Sequence, residues 1–585
     1  MTLRSHAGAA GLYAVLTALM TWPLVSRLNL IEAGDSAYFA WAIAWTNHAV
    51  LNDPLNLPHA NALYPLRYAL FLDEPIVATS LLALPLRLVT VDPIVTLNLI
   101  RLLTFFLSAL GVRALGLSVG LSSLAAFAAG ALFSFSSNRV SSPAHLSVLG
   151  TQFLPLYFLF LHRWARDGSA RAAGLAGLFF GLSAWACGYH ALLAAAILPI
   201  PILVLLERRV FLRTAPVGLV VALSFLLPLR WLHHQALQPL QYARSVSETA
   251  SFSAAIESLF STSAANRIWG SLTENLRTVV EADLFQGLTV LFLTGLALLA
   301  LRRTPGACRV TLGYLTLVIC AFLVALGPEV RLFGATLFSG PFTLLREFEL
   351  FRMIRVPARA SVFMGLGFAM LAGLGLDRLR NLRLRYALAG LALLEATAAP
   401  LNVVAADRCL DAADKTPPIY VWLKEKAPGG PLIELPILPN DGRFQRPRFD
   451  DSVYLLRSTT HWRPLVNGFA GTEPPSYVEL RGVMEDFPSP ESIELLRSMK
   501  VRLILLHLRA YGPNRRQALL TRLSEFPSQL LETAHIEDDL ALQIVDGPGA
   551  TGSVAVQPSP SEERAWAAER PGRSEASSPP PSRSR

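Results

Sequence analysis

Two groups of residues in this chain have the types and spacing for chemistry. Asp35 follows the first apolar run and precedes the aromatic stretch Tyr38, Phe39, Trp41 and Trp45. Arg352, Arg355 and Arg359 directly precede a late apolar run. A carboxylate can accept the proton of a hydroxyl as its oxygen becomes a nucleophile. An arginine fork holds phosphate through two parallel hydrogen bonds. Arg355 and Arg359, four positions apart, share a face wherever the stretch is helical, and Pro357 predicts a helix start there.

Asp73 and Glu74 form a second acidic pair, and Arg139 and His145 flank a short loop; these four are candidates for supporting roles. Each group also has a plainer reading, which stays open. Gly34-Asp35 ahead of an apolar run is a helix-cap signature, and Asp73 and Glu74 suit a helix N-terminus. Arg139, His145 and the late arginines suit an interface with lipid headgroups. Tyr242, Glu248 and Glu257 form a candidate acceptor wall, with no specific spacing. No His/Asp cluster has metal-ligand spacing, so no metal site is assigned, although a divalent-ion role for Asp73 and Glu74 stays open. No phosphate-binding glycine loop or nucleophile elbow sits in a plausible setting, which argues against an ATP-driven pump. Most apolar runs lack internal acids, and charged residues such as Arg101 and Glu395 lie near run ends or on possible interior faces, which weakens the case for an ion-coupled transporter.

These residues need elements to hold them, and composition says which. The chain has 585 residues, 52% hydrophobic and 16% charged, with mean hydropathy +0.43; a soluble chain carries about 25% charged residues. Apolar runs able to cross a hydrocarbon core roughly 30 Å thick recur up to residue 405. The expected fold is a polytopic α-helical membrane protein with about eleven transmembrane helices. They lie near 8–24, 94–112, 118–137, 146–162, 172–188, 190–206, 214–232, 285–301, 310–327, 358–376 and 386–404. Segment 76–91 carries Pro85 and Arg87 and reads as a re-entrant or interfacial element.

The formal charge of +9 is not a nucleic-acid signal, because most arginines lie in short loops between apolar runs. With a cytoplasmic N-terminus, the basic loops at Arg163–Arg171, Arg208–Arg213, Arg302–Arg309 and Arg378–Arg385 all fall inside. The outer side then receives the first loop (25–93), the loop near 138–145, the long loop (233–284) and the loop at 328–357. After the transmembrane part (1–405), residues 406–550 read as an extracytoplasmic α/β domain, with strand-like runs at 431–436 and 501–506. The Ser/Pro/Arg-rich tail, 551–585, reads as disordered.

Five stretches carry a family resemblance: GDSAYFAWAIAW (34–45), NALYPL (61–66), FRMIRVPARA (351–360), IELP (433–436) and HWRPLVNGFAG (461–471). In this order they resemble polytopic membrane glycosyltransferases of the GT-C class, including bacterial relatives of protein mannosyltransferases and lipid A aminoarabinose transferases. The resemblance implies a polyprenyl-phosphate sugar donor and transfer, with inversion, to a lipid or glycan hydroxyl on the outer face of a bacterial inner membrane. Asp35 would be the base, and Arg355 and Arg359, with Arg352, would neighbour the lipid phosphate. Many members carry a second acid where this chain has Ser36. The alternative is a transporter or non-catalytic assembly protein for lipid-linked cell-envelope precursors.

Overall fold

The computed structural model describes residues 3–545, apart from 241–243, 280, 300–304, 402–408, 439–448 and 472. Arg302, Arg303, Tyr242 and the expected tail lie outside the described residues.

Each expected span overlaps a helix or a bent pair of helices, some only in part. In chain order these are α1 (Leu3–Met20), α3 (Pro93–Ser118), α4 (Ser123–Ser134), α5 (Leu154–Asp167) and α6 (Ala170–Ala186). The pair α7 (Gly188–Ile197) and α8 (Pro199–Leu205) follows, then α9 (Arg208–Leu237). The last four are α10 (Leu288–Leu299), α11 (Pro305–Ala325), α12 (Ser361–Leu376) and α13 (Leu382–Glu395). The first loop contributes α2 (Asp35–Asn52), which is buried along most of its length.

Among the described residues, four helices are long and apolar enough to cross a bilayer alone, or five if the α7–α8 pair, bent by 60°, is one span. The other apolar helices are shorter. The 12-residue α4 and α10 reach only about 18 Å at 1.5 Å per residue. Sequence hydropathy counts apolar residues regardless of the breaks at Ser122, Phe135 and Leu198 that end these helices. Segment 76–91 forms one short helix (Val77–Leu81) and a 3-10 turn (Leu84–Leu88).

Small residues let the bundle close around α12. A Cβ on Gly375 would lie 2.0 Å from the Leu293 carbonyl oxygen, and one on Gly367 would lie 2.5 Å from Val318. Glycine at these positions brings α10 and α11 into backbone contact with α12. Asp92 caps α3, its Oδ1 accepting from the amides of Ile94 and Val95 at 2.8 and 2.9 Å, with Pro93 at the first helical position.

Residues beyond 408 build a four-stranded mixed sheet. Strands β5 (Leu432–Leu435) and β6 (Leu503–His507) pair in parallel; β6 and β7 (Leu530–Ile536) each pair antiparallel with β8 (Asp539–Ile544), giving the order β5-β6-β8-β7. β5 and β6 are buried throughout, mostly apolar but carrying Glu434 and His507. The helices at Pro418–Glu425, Pro475–Met484, Pro490–Ser498 and Pro513–Leu523 each start on proline, whose missing N–H costs nothing in the first turn.

This part is joined to the first loop. Strand β1 (Leu30–Glu32) pairs antiparallel with β4 (Cys409–Asp411). The amides of Leu63 and Tyr64 donate to the carbonyls of Asn467 and Leu465, at 3.1 and 2.9 Å. Val466 donates to Leu432 O, and the Asn467 side chain receives the Glu434 amide at 2.7 Å. The stretches at 61–66, 433–436 and 461–471 thus form one clasp. Strands β2 (Glu329–Leu332) and β3 (Ala335–Ser339) form a hairpin between α11 and α12.

Candidate active site

Asp35 opens α2 as its first helical residue, and the cap position is Gly34, at φ +83. The Gly34 amide donates to Ser452 Oγ at 2.8 Å. Asp35 therefore sits one place inside the cap position, which no side chain caps, and its carboxylate is left 41% exposed. At 3.4 Å, His145 Nε2 is its ion-pair partner among the described residues.

Ser36 and Arg101 fix this geometry. Arg101, fully buried on α3, donates from Nη2 to Ser36 Oγ at 2.7 Å and to the carbonyl of Ala144 at 3.1 Å. Asn98, one turn earlier, holds Arg101 Nη1 and donates to the carbonyls of Leu28 and Leu30. One helix face therefore sets both the start of α2 and the residue before His145. The sequence marks Arg101 as a charge inside an apolar run, but does not reveal its partners.

From His145 the contacts continue inward. His145 Nε2 is 3.8 Å from Glu281 Oε1. Glu281 receives two hydrogen bonds from Arg359, Nε to Oε2 at 2.7 Å and Nη2 to Oε1 at 3.0 Å. Arg359 Nη1 also lies 3.7 Å from Glu74 Oε1, and its guanidinium lies over the Tyr189 ring at 4.7 Å. The Cys187 thiol donates to Glu74 Oε2 at 3.1 Å. Asp35, His145, Glu281, Arg359 and Glu74 thus form one continuous cluster, where three of the four expected outer loops and the start of the 357–376 span meet. Exposure falls along it, from 41% at Asp35 to 12% at Arg359 and Glu281.

The electrostatics follow from burial and from Arg359. Burial raises the Glu281 carboxyl, but the charge and hydrogen bonds of Arg359 outweigh this and hold it below the ordinary range. Burial raises both Asp73 and Glu74. Asp73 Oδ1 accepts the Glu74 amide at 2.8 Å and faces Gly471, the end of the 461–471 stretch. Burial, then the charges of Asp73, Glu74 and Asp35, push the Tyr38 phenol well up.

The late arginines part ways. Arg355 lies beside the cluster, its amide donating to the Tyr189 hydroxyl at 3.0 Å. Its guanidinium sits over Phe252 at 4.4 Å, with Nε 3.1 Å from Glu248 Oε1. Arg352 turns away, donating to the carbonyl of Arg346 at 2.8 Å. Arg139 does not join: it is buried, stacked between Phe105 (4.8 Å) and Phe133 (5.4 Å), and donates to Leu149 O. Glu257 is buried and accepts the Phe333 amide at 2.9 Å. Among the described residues, no three or more His, Cys, Asp or Glu side chains come together in a way that would hold a metal ion. A cavity lined by Ser137, Thr262, Asn266, Trp269 and Glu395 shares no residue with the cluster.

No family model matches the chain, and no curated protein sequence matches it significantly. Solved structures do. The arabinofuranosyltransferase AftD from Mycobacteria aligns over 94% of this chain and 40% of its own, at 15% identity and TM-score 0.61. The chain thus spans about two fifths of that protein's length. The Archaeoglobus fulgidus oligosaccharyltransferase aligns over 86% of this chain and 70% of its own, at 13% identity and TM-score 0.47. ArnT from Cupriavidus metallidurans, solved with undecaprenyl phosphate, aligns over 93% and 99%, at 15% identity and TM-score 0.38. The fold likeness rests on the first of these. The chain is a multi-pass membrane protein whose structural neighbours are glycosyltransferases of the GT-C class.

Proposed function

We propose that this chain is a glycosyltransferase, moving a sugar from a polyprenyl-phosphate donor to an acceptor hydroxyl on the outer face of a bacterial inner membrane. The N-terminus would be cytoplasmic and residues 409–545 extracytoplasmic. The observation that carries the reading is the Asp35 carboxylate, one place inside the cap position and linked through His145 and Glu281 to Arg359.

In this reading Asp35 takes the proton of the acceptor hydroxyl, and that oxygen attacks the anomeric carbon. The bond from that carbon to the phosphate oxygen breaks, and polyprenyl phosphate leaves with the electron pair. Arg355 and Arg359 offset the charge gathering on that phosphate, in a partly dry site. Arg352 joins only if its segment turns inward. Residues 409–545 shape the acceptor side, where Gly471 meets Asp73.

The test is transfer by the purified protein from a panel of polyprenyl-phosphate sugars, wild type against Asp35→Ala. The variant should lose about 10²- to 10⁴-fold in rate, the usual contribution of a positioned general base. Full retention by Asp35→Ala would remove the assignment. One observation favours a second reading, a non-catalytic or transport protein for lipid-linked precursors. Arg359 is already matched by Glu281 and Arg355 by Glu248, as in a purely structural ion-pair strut. Absence of transfer by wild type across the donor panel would support that reading.

A further inference from the structure

In the arrangement described, the Nε–Nη2 edge of Arg359 is closed to phosphate, and its Nη1 lies 3.7 Å from Glu74 Oε1. Glu281 occupies Nε and Nη2 with both carboxylate oxygens, and both side chains are 12% exposed. A phosphate binds an arginine through the same two parallel donors. The charge balance points the same way: Glu281 and Glu74 lie against Arg359, whose charge also reaches Asp73. A further anion enters only as one of these leaves.

Glu281 is the carboxylate with somewhere to go. Glu74 is buried and held by the Cys187 thiol, and Asp73 by the Glu74 amide. Glu281 lies between helices, in the loop ahead of α10, and His145 Nε2 already stands 3.8 Å away. That nitrogen faces Asp35 as well, at 3.4 Å. One nitrogen carries one proton, so it serves one carboxylate fully at a time. Arg355 differs, because its partner Glu248 has a second cation, Arg244, at 2.7 Å and keeps it when Arg355 is drawn off.

We propose that Glu281 holds the place of the donor's phosphate on Arg359, and that phosphate binding passes Glu281 to His145 and thereby releases Asp35. This rests on the lipid-phosphate reading above and adds an order of events. Phosphate meets the more exposed Arg355 first, displaces Glu281 from Arg359, and Glu281 draws His145 away from Asp35. The base is then free only when a donor is in place, which keeps the site idle without one. Glu281 and His145 are positioning residues; neither touches the sugar.

The experiment measures binding of farnesyl monophosphate to the full-length protein in detergent by calorimetry. Glu281→Gln removes the competing charge and should tighten binding about tenfold or more, the scale of one charged contact. His145→Gln, which leaves the Glu281–Arg359 pair intact, should weaken binding in the wild-type background and leave Glu281→Gln unchanged. A purely structural role would give the same His145→Gln effect in both backgrounds. Equal or weaker binding by Glu281→Gln, or equal His145→Gln effects, would overturn the inference. Failure of both wild type and Glu281→Gln to bind would instead overturn the lipid-phosphate reading, and this one with it.

Discussion

At Gly34 the backbone takes φ +83 and ψ −134, a region that costs a side-chain-bearing residue about 1–3 kcal/mol. A Cβ there would meet nothing within 4 Å, so the cost is in the backbone alone. Gly34→Ala should therefore lower stability by that amount, seen as a lower thermal midpoint, and reduce transfer by moving Asp35. Gly482→Ala is the control: it lies exposed within a helix, with open space around it, and should be neutral or slightly stabilising. Melting curves of the two variants decide the matter. At this scale the sequence was partly legible. Asp35, Glu74, His145, Arg355 and Arg359 can be picked out by type and by position next to apolar runs. Glu281 could not, because its partner lies 78 positions away and nothing local distinguishes it from a solvated acid. Arg139 misled for the converse reason: a loop arginine reads as interfacial, yet two phenylalanines enclose it.

At the scale of elements, the C-terminal sheet carries a buried ionic lock. His507 on β6 contacts Glu434 on β5 through Nε2 at 2.9 Å and Asp539 on β8 through Nδ1 at 2.8 Å. Burial disfavours the charged ring, but hydrogen bonds to Asp539 and Glu434 and their charges outweigh it and raise His507 to about 9. A raised value means that stability is present in full below the ordinary histidine range and is lost as pH rises through about 9. Wild type should lose on the order of 3 kcal/mol between pH 6.5 and 10, and His507→Gln should show a flat profile there. Thermal melts across that range test it. The apolar helices were legible because long apolar runs survive any tertiary context, and strands β5 and β6 because short Leu/Ile-rich runs bounded by turns mark buried strands. Helix ends were not, since capping and the bend after Ile197 depend on the local backbone. Three-residue strands such as β1 and β4 carry too little pattern to be seen, and their pairing is wholly long-range.

Across the whole molecule, the first loop and the last part of the chain are one structure. Asn29 Nδ2 donates to Asp411 Oδ1 at 2.7 Å from 382 positions away, and Gly34 reaches Ser452 from 418. A chain ended at residue 408 would lose β4, the 461–471 clasp and the Gly34 anchor together. Its loop at 25–93 should become the first site of proteolytic cutting, while helices α3 to α13 stay protected. Limited proteolysis of the truncated and full-length chains in detergent checks this, and equal resistance of the loop in both would refute it.

The β1–β4 pairing also sets an order of synthesis. A ribosome delivers β1 hundreds of residues before its partner strand, and contacts of such separation form late and slowly. Through that interval the early loop waits, without the Gly34–Ser452 bond, while the remaining helices are inserted. The loop that carries Asp35 is closed only as the final strands emerge. A nascent or prematurely terminated chain therefore carries an open first loop around Asp35.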